Sequence, residues 1–332
     1  MTLRQLLAAD GVPSLVALLL IVVIFSMLSP QFLSIDNLRN ILVQSTFVLL
    51  ISVGMTFVLT VGAIDLSVGA VLGLSAGVTI LVVSLGAPTL VAILAGFAVG
   101  ICLGLLNGFM VAWLGLNDFI VTLGTLGIAA GSLQLMDSVR PLRGTGSEFF
   151  TGLAHGVVLG VPVPVLIAVV VVAVMSGVMQ LTDFGRRLQA TGMNRAAASL
   201  AGINTRSIRL SVFVLSGLFS GMGGVLMAAH LSSVSAGLGR GFELQAIAAA
   251  VVGGTSLSGG RGTVIGAALA AVLLAVISNG LQLTGVDATW FQIVVGASIV
   301  GATAFHQWTV RSDAQAPVQE QAATSIVGPT KV

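Results

Sequence analysis

Charged residues are so sparse along this chain that they mark out its architecture. Nine stretches free of Asp, Glu, Lys and Arg lie between Asp10 and Asp36, Arg39 and Asp65, Asp65 and Asp118, Asp118 and Asp137, Glu148 and Asp183, Arg209 and Arg240, Glu243 and Arg261, Arg261 and Asp287, and Asp287 and Arg311. A helix needs about 20 apolar residues to cross the hydrocarbon core of a bilayer, so each stretch has room for one crossing. The stretch from Asp65 to Asp118 has room for two, with Gly86, Ala87 and Pro88 supplying a turn at its middle. Ten transmembrane helices are therefore expected. None of the stretches alternates apolar and polar residues, which excludes a membrane β-barrel. Soluble folds are excluded by 56% hydrophobic residues and 42 glycines and by a mean hydropathy of +1.11. The expected fold is all-α: a polytopic transmembrane helical bundle of about ten helices over residues 1–311, followed by a polar, disordered tail over 312–332. The first apolar run ends in Ser29-Pro30-Gln31, which offers no small-x-small cleavage site, so it reads as a retained helix.

The distribution of arginine orients the bundle. Arg186, Arg187, Arg195, Arg206 and Arg209 are opposed only by Asp183, whereas Arg140 and Arg143 are matched by Asp137 and Glu148. Basic loops stay on the cytoplasmic side. An even number of helices then puts both termini there, together with Arg4, Arg261 and Arg311, and the chain reads as a multi-pass inner-membrane protein.

Glycines recur at helical spacing in Gly69, Gly73 and Gly77, in Gly100, Gly104 and Gly108, in Gly217 with Gly221, and in Gly262 with Gly266. Within lipid, small faces of this kind let helix backbones approach closely. A weak internal echo joins VGAIDLSVGAVLG (61–73) to VGGTSLSGGRGTVIG (252–266), and Asn107-Gly108 to Asn279-Gly280.

Catalysis has no visible seat. A P-loop needs a lysine to reach the β- and γ-phosphates, and the one lysine here is Lys331. His155, His230 and His306 are far apart in sequence and lack metal-ligand spacing, so no metal site is expected and the chain reads as a non-enzyme. Ion coupling would leave ionisable residues inside the spans, yet the acids fall mainly at helix ends, with Asp65 and Asp118 the two that reach inward. The driving force is expected from another subunit.

The basic segment 184–209 supplies a place for that subunit to act. Residues 194–201 form a short helix opened by Asn194 as N-cap and closed by Gly202, with Ala196, Ala197, Ala198 and Ala201 presenting a face small enough to seat in a groove. Topology alone also accounts for the arginines, which leaves an ion-coupled secondary transporter or passive facilitator as the alternative.

The run Gly192-Met193-Asn194-Arg195-Ala196-Ala197 with Ala201-Gly202-Ile203 resembles the ATPase-docking loop of the ribose-type permease subunits of ABC importers. Ile64-Asp65-Leu66-Ser67-Val68-Gly69 resembles the IDLSVG signature of that family, and Asn107-Gly108 through Phe119-Ile120-Val121-Thr122-Leu123-Gly124-Thr125 its NG…FIxTLGT segment. The stretch from Glu243 to Gly262 resembles its ELxAIAA…GGTSLxGGxG block. Arg195 stands where the family commonly has an acid. The resemblance implies an ABC importer permease fold that carries a monosaccharide by alternating access, with no cofactor in this chain and ATP and Mg held by the partner. It implies an ABC ATPase subunit, single or double-length, a second permease copy or paralogue, a periplasmic or lipid-anchored sugar-binding protein, and no nucleic acid. The docking residues would be Gly192, Asn194, Arg195, Ala197, Ala198, Gly202 and Ile203.

Pathway or gate candidates are Asp65, Ser67, Asn107, Phe119, Thr122 and Asn279. Asp65, with Ser67, either caps the next helix or meets sugar hydroxyls at a gate. Asn107 and Asn279, within apolar spans, need a partner, whether a neighbouring helix or solute. Asn117 and Asp118 are expected to cap their helix, and Arg240 and Glu243, on the outer side, either to pair locally or to meet a binding protein.

Overall fold

In a computed structural model the structure describes residues 11–139, 142–144, 147–287 and 289–304. The expectations for Arg4, Arg140, Arg311, His306, Lys331 and the 312–332 tail lie outside those residues.

The described residues form thirteen helices: α1 (Val12–Leu28), α2 (Ile35–Thr60), α3 (Val68–Ser84), α4 (Thr89–Ala112), α5 (Asp118–Val139), α6 (Glu148–His155), α7 (Val163–Leu181), α8 (Asp183–Met193), α9 (Arg195–Leu200), α10 (Thr205–Leu231), α11 (Phe242–Val252), α12 (Val264–Leu283) and α13 (Thr289–Ala304). Six of them, α2, α4, α5, α7, α10 and α12, are long and apolar enough to cross a membrane. The other apolar helices, α1, α3, α11 and α13, are shorter. The fold is thus a polytopic helical one, but the charge-free runs overstate helix length. The run after Glu243 is helical only as far as Val252, the end of the 11-residue α11, which is about 16 Å long at 1.5 Å per residue against a hydrocarbon core of about 30 Å.

Two helices form the spine. In α2 nearly every residue from Val43 onward is buried, as expected of a helix apolar on all sides. Ser52, Thr56 and Thr60 keep their hydroxyls satisfied there by donating to the carbonyls of Val48, Ser52 and Thr56 at 2.6–2.8 Å. The second spine helix, α10, packs most extensively on α4. Gly100 and Gly104 of α4 meet Gly217 and Gly221 of α10 backbone to backbone; a Cβ added at Gly217 would lie 2.9 Å from the Gly104 Cα. The glycine spacing read from the sequence is therefore a helix crossing.

Two of the shorter helices, α3 and α11, follow irregular segments that turn into the bundle. After α2 ends at Thr60, residues 61–67 run inward before α3 begins, and Asp65 lies level with Ser216 near the middle of α10. After α10, residues 235–241 dip inward likewise before α11 begins. The two inward segments meet where the Gly239 carbonyl packs on Gly69 and the Leu238 carbonyl on Gly73. The N-termini of α3 and α11 thus face one another inside the bundle.

Between α5 and α7 lie α6 and short antiparallel ribbons. Leu142–Arg143 pairs with Ser233–Val234, and Val157–Val158 with Val161–Pro162. Two-residue strands are too short to show a periodic pattern in sequence.

Candidate functional site

The arginine-rich segment folds as two helices joined at Asn194. Thr182 caps α8 by accepting from the Gly185 amide at 3.3 Å. Asn194 caps α9, its side-chain oxygen accepting from the Ala197 amide at 3.0 Å. Gly202 closes α9 at φ 83°, while the Gly202 amide donates to Ser199 and the Ile203 amide to Ala198, both at 3.0 Å. This paired ending fixes the hook in one shape. Arg186 pairs with Asp183 one turn away, the one ion pair among the described residues. Arg240 and Glu243 therefore do not pair; Glu243, half-buried, instead accepts from the Gly241 amide at 3.2 Å and lies against Gly69.

The hook presents more than alanine. Ala198 turns inward and is buried, whereas Ala196, Ala197 and Ala201 are exposed. The large apolar side chains Met193 and Leu200 stand out beside them, 73% and 91% exposed. Their exposure next to a capped, arginine-flanked turn makes a partner-type surface. The sequence held the signal, two bulky apolar residues in a polar and alanine-rich hook.

Asp65, Ser67 and Asn107, with Thr125 and Ser216 added, come together in one buried polar cluster, which Thr122 does not join. One Asp65 carboxylate oxygen accepts from the Ser67 amide at 2.9 Å and its hydroxyl at 2.6 Å, and the other accepts from Ser216 Oγ at 2.8 Å. Asn107 Nδ2 donates to Ser67 Oγ at 3.0 Å, and Thr125 Oγ1 donates to Asn107 Oδ1 at 2.5 Å. The cluster joins the 61–67 segment to α4, α5 and α10. All five of Asp65, Ser67, Asn107, Thr125 and Ser216 are at most 2% exposed, so within this chain their partners are one another. A half-satisfied network at this depth would be costly, and this one is closed.

Asp118 Oδ2 accepts from the Ile64 amide at 2.6 Å and so ties the same segment to the first turn of α5. Asn117, not Asp118, caps that helix, accepting from the Ile120 amide at 3.2 Å. Thr122 donates to the Asp118 carbonyl at 2.8 Å, and Phe119 points outward, 51% exposed.

Asn279 lies far from this cluster. It exchanges amide hydrogen bonds with Asn37 of α2, at 2.8 and 3.0 Å, and each next-door glycine serves packing: Gly280 against Phe25 and Gly108 against Leu210. The echo between the two Asn-Gly pairs is thus an echo of helix-joining roles. His155 and His230, distant in sequence, stand with ring centroids 5.3 Å apart, and Phe47 lies 5.7 Å from His230. No group of three or more metal-ligating side chains occurs among the described residues.

Comparison with known proteins agrees with this geometry. Residues 37–303 match the family model described as branched-chain amino acid transport system / permease component. The ribose import permease protein of Haemophilus influenzae is 38% identical over 291 residues, covering 86% of this chain and 90% of the relative. The D-allose transport system permease protein of Escherichia coli K12 is 37% identical, covering 86% and 88%. The autoinducer 2 import system permease protein of Escherichia coli DH10B is 32% identical, covering 89% and 86%. No solved structure matches the chain at a comparable level. A match that takes in the buried cluster, the capped hook and the inward-turning segments alike places this chain in the family of branched-chain amino acid transport system permease components.

Proposed function

We propose that this chain is the membrane-spanning subunit of an ABC importer for a monosaccharide or a similar small polyhydroxy solute, and that a separate ATPase drives it through α8 and α9. The observation that carries this is the doubly capped hook with Met193 and Leu200 exposed beside arginines, in a chain whose relatives are import permeases for ribose, allose and autoinducer 2. Ten apolar helices make the crossings in this reading, the short α11 together with the irregular segments that flank it, with the hook and both termini cytoplasmic and α6 with the short ribbons facing a periplasmic or lipid-anchored binding protein.

A second permease copy or paralogue completes the pathway. ATP and Mg bind the partner; closure of its nucleotide site pushes the hook and biases a two-state gate. Asp65, Ser67 and Asn107 hold the gate segment, and Gly192, Asn194, Arg195, Ala197, Ala198, Gly202 and Ile203 build the hook. Purification in mild detergent after expression from the native locus tests this. Recovery of an ATPase subunit in stoichiometric amount is expected, and repeated isolation of the permease without one would overturn the proposal.

A further inference from the structure

The two loops that echo one another in sequence meet in space, and they meet on the docking element. The Gly260 amide donates to the Thr60 carbonyl at 2.8 Å, joining the loop after α11 to the end of α2. The same carbonyl fills the place where a side chain on Gly192, near the end of α8, would stand. A Cβ at Gly259 would lie 2.8 Å from the Gly192 carbonyl oxygen and 3.0 Å from the Gly62 amide nitrogen. Three segments therefore touch largely through main chain, with the Met193 and Thr60 side chains packed on Gly260 and Gly262 beside it. Alongside, Phe57 of α2 stacks on Phe184 of α8, ring centroids 6.4 Å apart, and Leu188 of α8 is fully buried.

The joint also has an output. From Thr60 the chain passes in a few residues to Ile64, held by Asp118 at the start of α5, and to Asp65, held by Ser216 of α10. Leu200 stands on the outward side of the hook, while Met193, though largely exposed, also packs its stem on Gly260, so it links the surface offered to a partner with the surface pressed on the bundle.

We propose, resting on the importer reading above, that Thr60, Gly192 and the 259–262 turn form a transmission joint. The hook, the end of α2 and the loop after α11 move as one body, and their displacement is delivered to the first turn of α5 through Ile64 and Asp118. Close-packed main chain transmits displacement because it is bistable rather than compliant. Gly262 is the handle for testing this. A Cβ built there lies 3.3 Å from the Thr60 Cβ, near the roughly 3.5–4.5 Å of a disulfide.

The test uses the full complex with ATPase and binding protein in liposomes, reading ATP hydrolysis and uptake of radiolabelled D-ribose or D-allose. Gly262→Leu drives a wedge between the turn and α2. The expected result is ATPase co-purification and hydrolysis within about twofold of the unaltered complex, with solute moved per ATP down about tenfold or more. An unchanged solute-to-ATP ratio overturns the joint. The opposite manipulation, Thr60→Cys with Gly262→Cys in a Cys102→Ala background, staples the contact. Oxidation is expected to form the bond and leave uptake within about twofold of the reduced sample, because a joint that moves as one body tolerates a staple. Uptake that stops on oxidation and returns on reduction, or a bond that does not form, overturns the proposal. Absence of any ATPase in the unaltered complex overturns the importer reading instead, and is seen before either variant is made.

Discussion

Ser216, in the middle of α10, donates a 2.8 Å hydrogen bond to the carboxylate of Asp65, which stands in the irregular segment between α2 and α3. Both residues are buried, and the same carboxylate takes two further bonds from Ser67. An acidic residue at this depth is held by donors from its own turn and from a helix 151 residues away in sequence.

Removal of the long-range donor has a defined cost. Ser216→Ala leaves one carboxylate oxygen without its partner, which costs about 1–3 kcal/mol for a buried group. Thermal unfolding in detergent should shift downward for Ser216→Ala. Asp65→Ala should lower it as well, since Ser67 and Ser216 lose their shared acceptor. Melting curves that superimpose on the parent would contradict the role assigned to the cluster.

The crossing of α4 over α10 predicts a larger effect. Gly217→Val places a branched side chain against the Gly104 backbone, and overpacking of this kind costs about 1–3 kcal/mol or more. The variant should yield less monodisperse protein on size exclusion and resist trypsin for a shorter time. By contrast, Gly124→Ala on α5, where open space surrounds the position, should leave both readouts unchanged.

Asn37 and Asn279 test whether a reciprocal amide pair joins α2 to α12. Hydrogen bonds between membrane helices contribute about 0.6 kcal/mol on average. Asn37→Ala and Asn279→Ala together should therefore destabilise the protein by less than the sum of the single changes. Strict additivity in a double-mutant cycle would show that the pair is not coupled.

Leu200 separates docking from folding. It is 91% exposed, so Leu200→Asp should leave the melting temperature in place. If it seats in an ATPase groove, the substitution should weaken co-purification of that subunit about tenfold, as for a central apolar anchor. Undiminished recovery of the ATPase would move the docking surface elsewhere.

Much of this fold was legible because lipid imposes simple rules. Charge-free runs enclosed most or all of α1, α2, α4, α5, α7, α10 and α12 without fixing their ends, and the turn at Gly86 falls where expected. The irregular segments were not legible. Distance between charges measures how much apolar chain there is, not how much of it is helical, so the run around α11 looked like a full span. Asn194 and Gly202 announced the ends of the hook because caps are local. Long-range partners are not local: nothing near Asp118 pointed to the Ile64 amide, and nothing near Asn279 pointed to Asn37. The meeting of the two echoing loops at Thr60 is of the same kind, since glycine-rich sequence gives small size without naming the surface it fits.

The central claim is that a passive membrane gate takes its energy from a separate ATPase through the hook. Reconstituting the chain with its ATPase and binding protein in sealed liposomes, and following radiolabelled D-ribose or D-allose uptake, tests it most directly. Uptake should require ATP and be indifferent to collapse of proton and sodium gradients. Uptake that continues without ATP and follows either ion gradient would contradict it.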